Sequence, residues 1–361
     1  MRVGIVGAGI VGLATAAELL RQAPGTELRC YDAGEPLRAR SVGTSRVFRT
    51  AHGDARLVRL ARDAERSWRS WEERAGRPLL ERTGVVVTGG NVDGWEAAMV
   101  AAGLDPAAAD RPAFPLPLAA AGGRHLHDPL GGVVRVDDAG RFLLREVSAG
   151  GGEVRPGDVV SEVCGRAGGA RLVAESGTWD CDVALVVAGG GTPALAAQVG
   201  VAVPRLERWH HRFTYPLRDP AGRPACWLDR SETWRRGFTS YQHLTAPGRW
   251  AVGGSLPVED IDVALPEAEA RRRAEAVVTA YVRDTLDGVV PEVTDVVRCR
   301  SLDRGDGLSA EAAGAVLVFW GDNLMKFAPV LGELLAACCR TGQVTDALAG
   351  LLVQASRTPP A

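Results

Sequence analysis

The first forty residues alternate between apolar runs and a helical pattern. Residues 2–6 form a short apolar strand pattern, residues 13–21 repeat apolar side chains at helical spacing, and residues 27–31 form a second strand pattern. The sequence GAGIVG, residues 7–12, separates the first strand from the helix, and Asp32 follows the second strand. This order of strand, glycine-rich turn, helix, strand and acid predicts a dinucleotide-binding unit.

The glycine-rich turn suits a pyrophosphate. Glycines let the backbone approach the ligand closely, and the helix N-terminus supplies amide donors and the positive end of its dipole. Asp32 would accept hydrogen bonds from ribose hydroxyls. The alternative is a turn that only packs the helix against the strand, but the twenty-residue spacing from the third glycine to the acid favours a ligand. The candidate contacts are Gly7, Gly9, Ile10, Val11, Gly12 and Asp32.

The rest of the chain mixes helical and strand patterns. A near-continuous apolar run at 182–188 is typical of a buried parallel strand, and the short alternating runs of residues 209–254 indicate an antiparallel sheet. Val160, on a predicted strand, and Gly189, after the apolar run, are further candidate cofactor contacts. We also predict strands at 85–88, 132–136, 158–163, 293–301 and 315–320, and helices at 55–74, from 142, at 266–285 and at 332–340.

These patterns predict an α/β chain of two domains, because 361 residues exceed one ordinary core. One is a Rossmann-like dinucleotide-binding domain built from separated segments, at 1–83, 139–205 and 290–361. The other is an α+β substrate domain with a mainly antiparallel sheet, at 84–138 and 206–289. Residues 101–123 are rich in Ala, Pro and Gly and predict an irregular connection.

Composition narrows the function classes. Apolar residues make up 46% of the chain, charged residues 24%, and the formal charge is −2, so no global field attracts nucleic acid or an anionic membrane. No apolar run is long enough to span a bilayer. Seven cysteines without regular spacing argue against a disulfide framework and predict a cytoplasmic protein. The cysteines and histidines lack metal-ligand spacing, so we expect no metal site.

Lys326 is the only lysine in a chain with 42 lysines and arginines. Chance in an arginine-rich composition is one explanation. The other is that this position needs a compact ammonium that a planar guanidinium cannot replace.

Four stretches together resemble a known family. They are GIVGAGIVGLATAAELL with Asp32, GTSRVFRTA at 43–51, VVRCRS around Cys299, and GDNLMKFAPVLG at 321–332. In order and approximate spacing they resemble the D-amino-acid-oxidase-like flavoproteins, within them the branch of monomeric sarcosine oxidase and N-methyltryptophan oxidase.

The resemblance implies FAD rather than NAD, and a sheet-rich substrate domain. It implies oxidation of the C–N bond of a secondary or cyclic amino acid: hydride passes to the flavin, oxygen reoxidises the flavin, and the imine hydrolyses or rearranges. The expected partners are a small amino-acid or cyclic amine substrate and molecular oxygen. We expect a monomer that binds neither nucleic acid nor membrane.

The resemblance also assigns residues. Arg46 matches an arginine beside the flavin ring, and Arg49 matches one that pairs with the substrate carboxylate through its guanidinium fork. Their spacing of three predicts that both lie on one side of a helical turn. Lys326 is expected beside the flavin and Arg49, with its ammonium directed at the same carboxylate. Cys299 matches the cysteine that carries the flavin covalently. Further implied cofactor contacts are Ser45, Gly321, Asp322, Asn323 and Leu324.

Plainer interpretations of these residues stay open. Arg46 and Arg49 could be surface arginines in an arginine-rich chain, and Cys299 could be a buried, unreactive thiol. Four tryptophans could wall a pocket for a larger substrate or belong to a core. They are Trp209, Trp227, Trp234 and Trp250.

The chain also departs from the branch. Ala251 stands where the branch has a lysine thought to help oxygen react, and Gly254 and Ser255 stand in place of a tyrosine and a histidine. Three hypotheses follow: an FAD-dependent oxidase, a flavin-dependent dehydrogenase that uses another electron acceptor, or a catalytically inactive flavin-binding scaffold.

Overall fold

The computed structural model describes residues 1–106, 124–204, 207–302 and 307–352. Its strands are β1 Arg2–Val6, β2 Glu27–Tyr31, β3 Ser45–Phe48, β4 Leu80–Glu81, β5 Val85–Thr88, β6 His125–Asp128, β7 Gly132–Arg135, β8 Glu153–Arg155, β9 Val160–Arg166, β10 Gly169–Ala174, β11 Gly177–Cys181, β12 Val183–Val186, β13 Glu207–Pro216, β14 Cys226–Asp229, β15 Ser240–Ala246, β16 Arg249–Gly254, β17 Asp295–Leu302, β18 Leu308–Ala313 and β19 Val316–Gly321. Its helices are α1 Ile10–Gln22, α2 Ala55–Ala75, α3 Val92–Ala101, α4 Val136–Ala149, α5 Thr192–Ala197, α6 Val258–Ile261, α7 Glu267–Thr285, α8 Ala328–Thr341 and α9 Asp346–Ala349.

The chain divides into two compact units, each made of separated segments. The first comprises Met1–Ser41, Asp138–Glu207 and Ser301–Ala361, and the second Val42–Asp137 and Arg208–Arg300. Residues 42–83 and 290–300, which we assigned to the first domain from the sequence, thus lie in the second unit. The reason is strand pairing: β3 and β4 both pair with β7, and β17 joins the sheet that contains β13.

The first unit is built on a six-stranded sheet of order β18-β19-β12-β1-β2-β8. Five strands are parallel and β18 runs antiparallel to β19. The predicted strands at 2–6 and 27–31 are confirmed, and the apolar run at 182–188 forms β12, whose four residues are all buried. A separate antiparallel sheet, β11-β10-β9, packs its apolar side chains into the same core as Val6, Tyr31 and Val186.

Helix α1 packs closely on α8 in this unit. A Cβ on Gly332 would lie 2.8 Å from the carbonyl oxygen of Ala14, so a glycine is needed for the approach. Helix α8 begins at Ala328, one turn before the predicted residue 332, because Pro329 fits the first helical turn.

The second unit is built on a seven-stranded sheet of order β17-β13-β16-β15-β14-β5-β6. The mainly antiparallel character predicted for this region is confirmed, and β14 and β5 form a parallel pair. One face packs into a core with α7 that contains Phe213, Tyr215, Trp250, Val278 and Tyr281. The small sheet β3-β7-β4 belongs to the same unit.

One local prediction was wrong in a way that matters for the site. Residues 45–48 form β3, which pairs with β7 in an antiparallel register, so Arg46 does not lie on a helical turn with Arg49. Side chains alternate across a strand, so positions three apart point to opposite faces.

Smaller differences concern element ends. Helix α4 begins at Val136 rather than near 142, and the strands β10, β11 and β18 were not predicted. The predicted irregular connection at 101–123 falls mostly outside the described residues. Within the described ranges, no helix is both long and apolar enough to cross a bilayer, and no cluster of His, Cys, Asp and Glu has the arrangement of a metal site.

Candidate functional site

The glycine-rich turn lies at the point where the strand order of the first unit reverses. β1 has β2 on one side and β12 on the other, and open α/β sheets bind ligands at the carboxyl ends of such strands. Gly7 has a φ of +114°, and a Cβ there would lie 2.5 Å from the carbonyl oxygen of Val187. A Cβ on Gly12 would lie 1.9 Å from the carbonyl oxygen of Gly7. Both positions therefore require glycine, and the backbone here forms a close cradle.

Helix α1 starts directly from this cradle. Gly9 is its N-cap and has no side chain that could accept a hydrogen bond. Ser41 supplies the acceptor instead, since its Oγ accepts a hydrogen bond of 3.1 Å from the Ile10 amide. The Asp32 carboxylate accepts hydrogen bonds from the amides of Ala8 (2.8 Å) and Gly34 (3.0 Å). Burial raises the pKa of Asp32. Asp32 thus lies against the glycine-rich turn, as its position after β2 predicts.

A second turn in the same unit contains Lys326. Asp322 forms an ion pair with Arg40, the neighbour of Ser41, and so ties this turn to the segment that caps α1. Asn323 has a φ of +54°, and residues 324–327 form a single 3-10 turn that leads into α8. Lys326 is only 5% exposed, and its Nζ lies 5.0 Å from the centre of the Phe327 ring. The lone lysine is therefore a buried cation.

The two remaining candidates of the first unit have different surroundings. Val160 is buried in the core that contains Val6 and Tyr31, the last residues of β1 and β2. Gly189 has a φ of +56°, and a Cβ there would meet no atom within 4 Å.

In the second unit, one cluster of polar groups surrounds Ser45. Its carbonyl oxygen accepts hydrogen bonds from Nη1 of Arg46 (2.9 Å) and Nη1 of Arg212 (2.7 Å). Its hydroxyl lies 3.0 Å from Nε2 of His243. Ser45 is fully buried, and Arg212 is 3% exposed. We call Ser45, Arg46, Arg212 and His243 the Ser45 cluster.

The Ser45 cluster is rich in positive charge. Burial, together with the charge of Arg46, lowers the pKa of Arg212 to about 9, and burial lowers that of Arg46. Burial and then the two arginines hold the pKa of His243 well below its usual value, so this imidazole is neutral. Burial raises the pKa of the adjacent Tyr241 to about 12, so this phenol is also neutral.

Arg212, Tyr241 and His243 lie on one face of the sheet, and two small residues, Gly253 and Ala251, are paired with them. Arg212 is paired in register with Gly253, and Gly253 with Tyr241; a Cβ on Gly253 would lie 2.2 Å from the Tyr241 hydroxyl. In the adjoining row, Ala251 is paired with Thr214 and His243. Ala251 is fully buried. The missing side chain at Gly253 therefore makes room for the Tyr241 ring.

Cys299 lies on β17 at the edge of the same sheet. It is half-buried, and its Sγ lies 3.8 Å from Nδ1 of His210, whose Nε2 lies 3.1 Å from the Tyr241 hydroxyl. Burial raises the pKa of Cys181 to about 11 and that of Cys226 to about 12. Cys164 is the other half-buried cysteine.

Arg49 lies in a different cluster of the second unit. Its Nη1 donates to the carbonyl of Ala51 and lies 2.9 Å from Nδ1 of His52. Its guanidinium carbon lies 4.8 Å from the centre of the Trp95 ring, and that of Arg230 lies 5.1 Å from the same ring. This arrangement holds the Arg49 guanidinium against an aromatic face.

The backbone beside Arg49 is fixed by a buried carboxylate. Asp128, at the end of β6, accepts hydrogen bonds from the Thr50 amide, from the Thr50 hydroxyl (2.7 Å) and from the Ala51 amide (3.0 Å). Asp128 and Thr50 are both fully buried.

The structure therefore brings together some of the predicted residues and adds others. Ser45 and Arg46 share a cluster, Arg49 lies in another, and Lys326 belongs to the other compact unit. Sequence reasoning missed several residues of the second unit that lie around Ser45, Arg49 and Cys299. These are His52, Trp95, Asp128, His210, Arg212, Tyr241 and His243. One available signal was the alternation in β13, where His210 and Arg212 occupy one face and Phe213 and Tyr215 the other.

Comparison with protein families gives a match along most of the chain. The family described as "DAO: FAD dependent oxidoreductase" matches residues 2–338. No curated protein matches the chain.

Solved structures share the fold at low sequence identity. An open form of a single-residue variant of NikD, described as an unusual amino acid oxidase essential for nikkomycin biosynthesis, is 19% identical, with a TM-score of 0.81 over 99% of this chain and 98% of that one. Glycine oxidase from Geobacillus kaustophilus is 15% identical, with a TM-score of 0.76 over 99% and 100%. L-Proline dehydrogenase from P. horikoshii is 14% identical, with a TM-score of 0.72 over 96% and 95%.

Proposed function

Because the chain belongs to the family of FAD-dependent oxidoreductases that its residues 2–338 match, we propose that it oxidises the C–N bond of a secondary, cyclic or N-substituted amino acid. The family match carries this proposal. The similar structures, which include an amino acid oxidase, a glycine oxidase and a proline dehydrogenase, support an amino acid as the substrate class.

The residues of the first unit fit FAD. The cradle of Gly7 and Gly12 leaves no room for a Cβ, α1 begins directly after this cradle, and Asp32 follows β2 at the switch point. We propose that these groups hold the diphosphate and the adenosine ribose, and that residues 321–324 contact the flavin. When bound, FAD supplies the two-electron acceptor for a hydride from the substrate carbon.

The protein's own part is to bind the amino acid in one orientation. We propose that Arg49 pairs with the substrate carboxylate, since His52, Ala51 and Trp95 hold its guanidinium in place. We propose that Arg46 lies beside the flavin and that Lys326 directs its ammonium at the same carboxylate. The buried position of Lys326 gives its ammonium a fixed place, which suits a role that needs a positioned compact charge.

The electron acceptor has two candidates. Oxygen is our first choice, since oxidases occur among the similar structures. The dehydrogenase alternative is favoured by one observation: Ala251 is an apolar, fully buried residue where the branch has a lysine. A cation near the site where superoxide develops would stabilise its charge, and Ala251 offers none.

We further propose covalent flavin attachment at Cys299, a monomeric protein and a cytoplasmic location. Cys299 is half-buried, whereas five of the other six cysteines are buried. All seven cysteines are free thiols, which suits a reducing compartment.

Anaerobic flavin bleaching tests the proposed function. Purified yellow protein is mixed with N-methyl amino acids, cyclic amino acids and ordinary primary amino acids, and the flavin absorbance is followed. We expect bleaching with N-methyl or cyclic amino acids, and return of colour when oxygen is admitted. Bleaching with no member of the panel would favour the inactive scaffold; bleaching that only an artificial acceptor reverses would favour the dehydrogenase.

A further inference from the structure

Arg212 is a buried cation that the functions assigned so far do not use. It lies on β13, the strand next to the edge strand β17 of the seven-stranded sheet, and is 3% exposed. Its Nη1 donates to the carbonyl of Ser45 at 2.7 Å and lies 3.4 Å from Nε2 of His243. Its Nε and Nη2 are buried, and neither has a hydrogen-bond partner in the part of the chain that the structure describes.

The charges around Arg212 do not balance it. Arg46 donates to the same Ser45 carbonyl and disfavours the charge on Arg212. Tyr241, Cys299 and the exposed Asp295 favour that charge, but less strongly than burial and Arg46 oppose it. Burial and the charge of Arg46 lower the pKa of Arg212 to about 9, as expected for a guanidinium without a bound anion. An unpaired charge inside a protein is strongly unfavourable, and an arriving anion would remove that cost.

The geometry of the free groups selects the kind of anion. Nε and Nη2 form one edge of the planar guanidinium, and their two N–H bonds point in parallel directions. A carboxylate matches this edge with its two oxygens and forms a bidentate pair. The backbone carbonyl of Ser45 holds the opposite side of the group, so the edge has a fixed direction.

We propose that the Nε–Nη2 edge of Arg212 binds a carboxylate of the substrate, in addition to the contact proposed for Arg49. The inference rests on the proposed function, because it takes the substrate to be an amino acid. It makes Arg212 a determinant of specificity for acids over amides and amines. The edge is covered in the structure, so the carboxylate reaches it only after a neighbouring side chain turns aside.

The test separates binding from turnover. FAD-loaded wild type and variants are titrated with N-methylglycine, proline and their two carboxamides under anaerobic conditions, and both the rise in Tm and flavin bleaching are recorded. The variants are Arg212→Gln, which removes the charge, and Arg212→Lys, which keeps a charge but loses the fork. Arg49→Gln is measured in parallel. Arg271→Gln, an exposed arginine on α7 of the same unit, is the matched control.

For wild type we expect tighter binding of at least one amino acid than of its carboxamide. Arg212→Gln should reduce that preference roughly 30-fold or more, the effect of breaking one buried charge pair. Arg212→Lys, the conservative variant if the glutamine protein folds poorly, should retain part of it. Arg271→Gln should behave as wild type.

The outcomes distinguish this inference from the proposed function. If the amino acids bleach wild type and Arg212→Gln keeps the full preference for the acid, the inference is wrong and the function stands. The same holds if only Arg49→Gln loses the preference. If no probe raises the Tm of wild type, the inference is overturned. If the acids raise the Tm through Arg212 but nothing bleaches the flavin, the carboxylate site stands and the oxidoreductase function fails.

Discussion

At the scale of single residues, Arg49 and Arg212 have different surroundings from the single lysine. Arginines lie on backbone carbonyls and aromatic faces: Arg212 donates to Ser45, and Arg49 packs on Trp95. Lys326 is instead enclosed in a one-turn 3-10 segment next to Phe327, where it is 5% exposed. A compact ammonium suits such a site because it needs no planar space around it.

Lys326→Arg should therefore keep the fold and the flavin but weaken substrate-dependent flavin reduction, and Lys326→Met should weaken it further. The guanidinium is larger than the ammonium and cannot occupy the same enclosed position, while methionine removes the charge. The measurements are bound flavin by absorbance, Tm, and the rate of anaerobic bleaching. Full activity in the arginine variant would mean that the single lysine is an accident of composition.

Cys299 should retain the flavin after denaturation. Acid precipitation of wild type is expected to leave the yellow colour with the protein, and Cys299→Ser is expected to release it. Cys164→Ser is the control, because Cys164 is the other half-buried cysteine. Complete release of flavin from wild type would contradict the covalent link and leave the FAD assignment unaffected.

Two buried histidines should make the protein sensitive to mild acid. Burial lowers the pKa of both His211 and His243 in the folded chain, so the unfolded chain binds their protons first as pH falls. Their contribution to stability is thus complete above the unfolded pKa of about 6.5 and is lost as the pH falls from there through the lower pKa of each histidine in the folded chain.

Thermal unfolding between pH 7.5 and 5 measures this effect. His243→Gln should flatten the fall of Tm with pH, and the double variant with His211→Gln should flatten it more. An unchanged slope in the double variant would show that other groups cause the acid sensitivity.

At the scale of elements, the first turn of α1 depends on contacts from two other segments. Ser41 supplies the acceptor that Gly9 lacks, and Arg40 ties the same segment to the turn at Asp322. Three segments that are far apart in sequence thus meet at one helix N-terminus. We propose that this convergence, more than any single contact, shapes the FAD site.

Gly12→Ala should disrupt this convergence. The added Cβ would lie 1.9 Å from the carbonyl oxygen of Gly7, so the helix must move away from the turn. We expect a lower flavin-to-protein ratio in the purified variant and a destabilisation of about 1–3 kcal/mol, the usual cost of overpacking. Gly34→Ala is the matched control, since a Cβ there meets no atom within 4 Å. Retention of FAD by Gly12→Ala at the wild-type level would show that the cradle tolerates a shift.

At the scale of the whole molecule, the chain leaves the first unit twice, forms part of the second unit each time, and returns. The first unit collects the parallel strands and the glycine-rich turn, and the second collects the large sheet with both arginine clusters. Under the proposed function, the first unit supplies the glycine-rich turn, Asp32 and Lys326, and the second supplies Arg46, Arg49 and Cys299.

The choice of electron acceptor depends on how fast oxygen reoxidises the reduced flavin in the folded enzyme. We expect reoxidation of the reduced flavin by oxygen to be slow relative to its reduction by substrate, because Ala251 supplies no cation. Stopped-flow absorbance measures both half-reactions, and a peroxide assay measures the product. Ala251→Lys should accelerate reoxidation, whereas Ala251→Met, of similar length and without charge, should not. Reoxidation as fast as reduction in wild type would mean that another cation, such as Arg249 or Lys326, fills this role.

The sequence by itself determined the features that depend on neighbours along the chain. One stretch of 31 consecutive residues contains β1, the glycine-rich turn, α1, β2 and Asp32. The motif can be recognised in the sequence because the close contacts at positions 7 and 12 require glycine. The apolar run of β12 and the alternation of β13 could also be recognised from neighbouring residues. A strand buried on both faces is continuously apolar, and a strand buried on one face alternates between apolar and polar residues.

Only the tertiary structure decided which side chains meet. Ser45 and Arg212 are 167 positions apart, and the contact between Ser45 and His243 spans 198. Residues 45–48 become a strand because Gly132–Arg135 offers them a hydrogen-bonding edge, not because of a local preference. Alternation can assign Arg212 to a face, but only the strand order places it between Gly253 and β17. The pairing of distant strands is a long-range choice, and local pattern does not encode it.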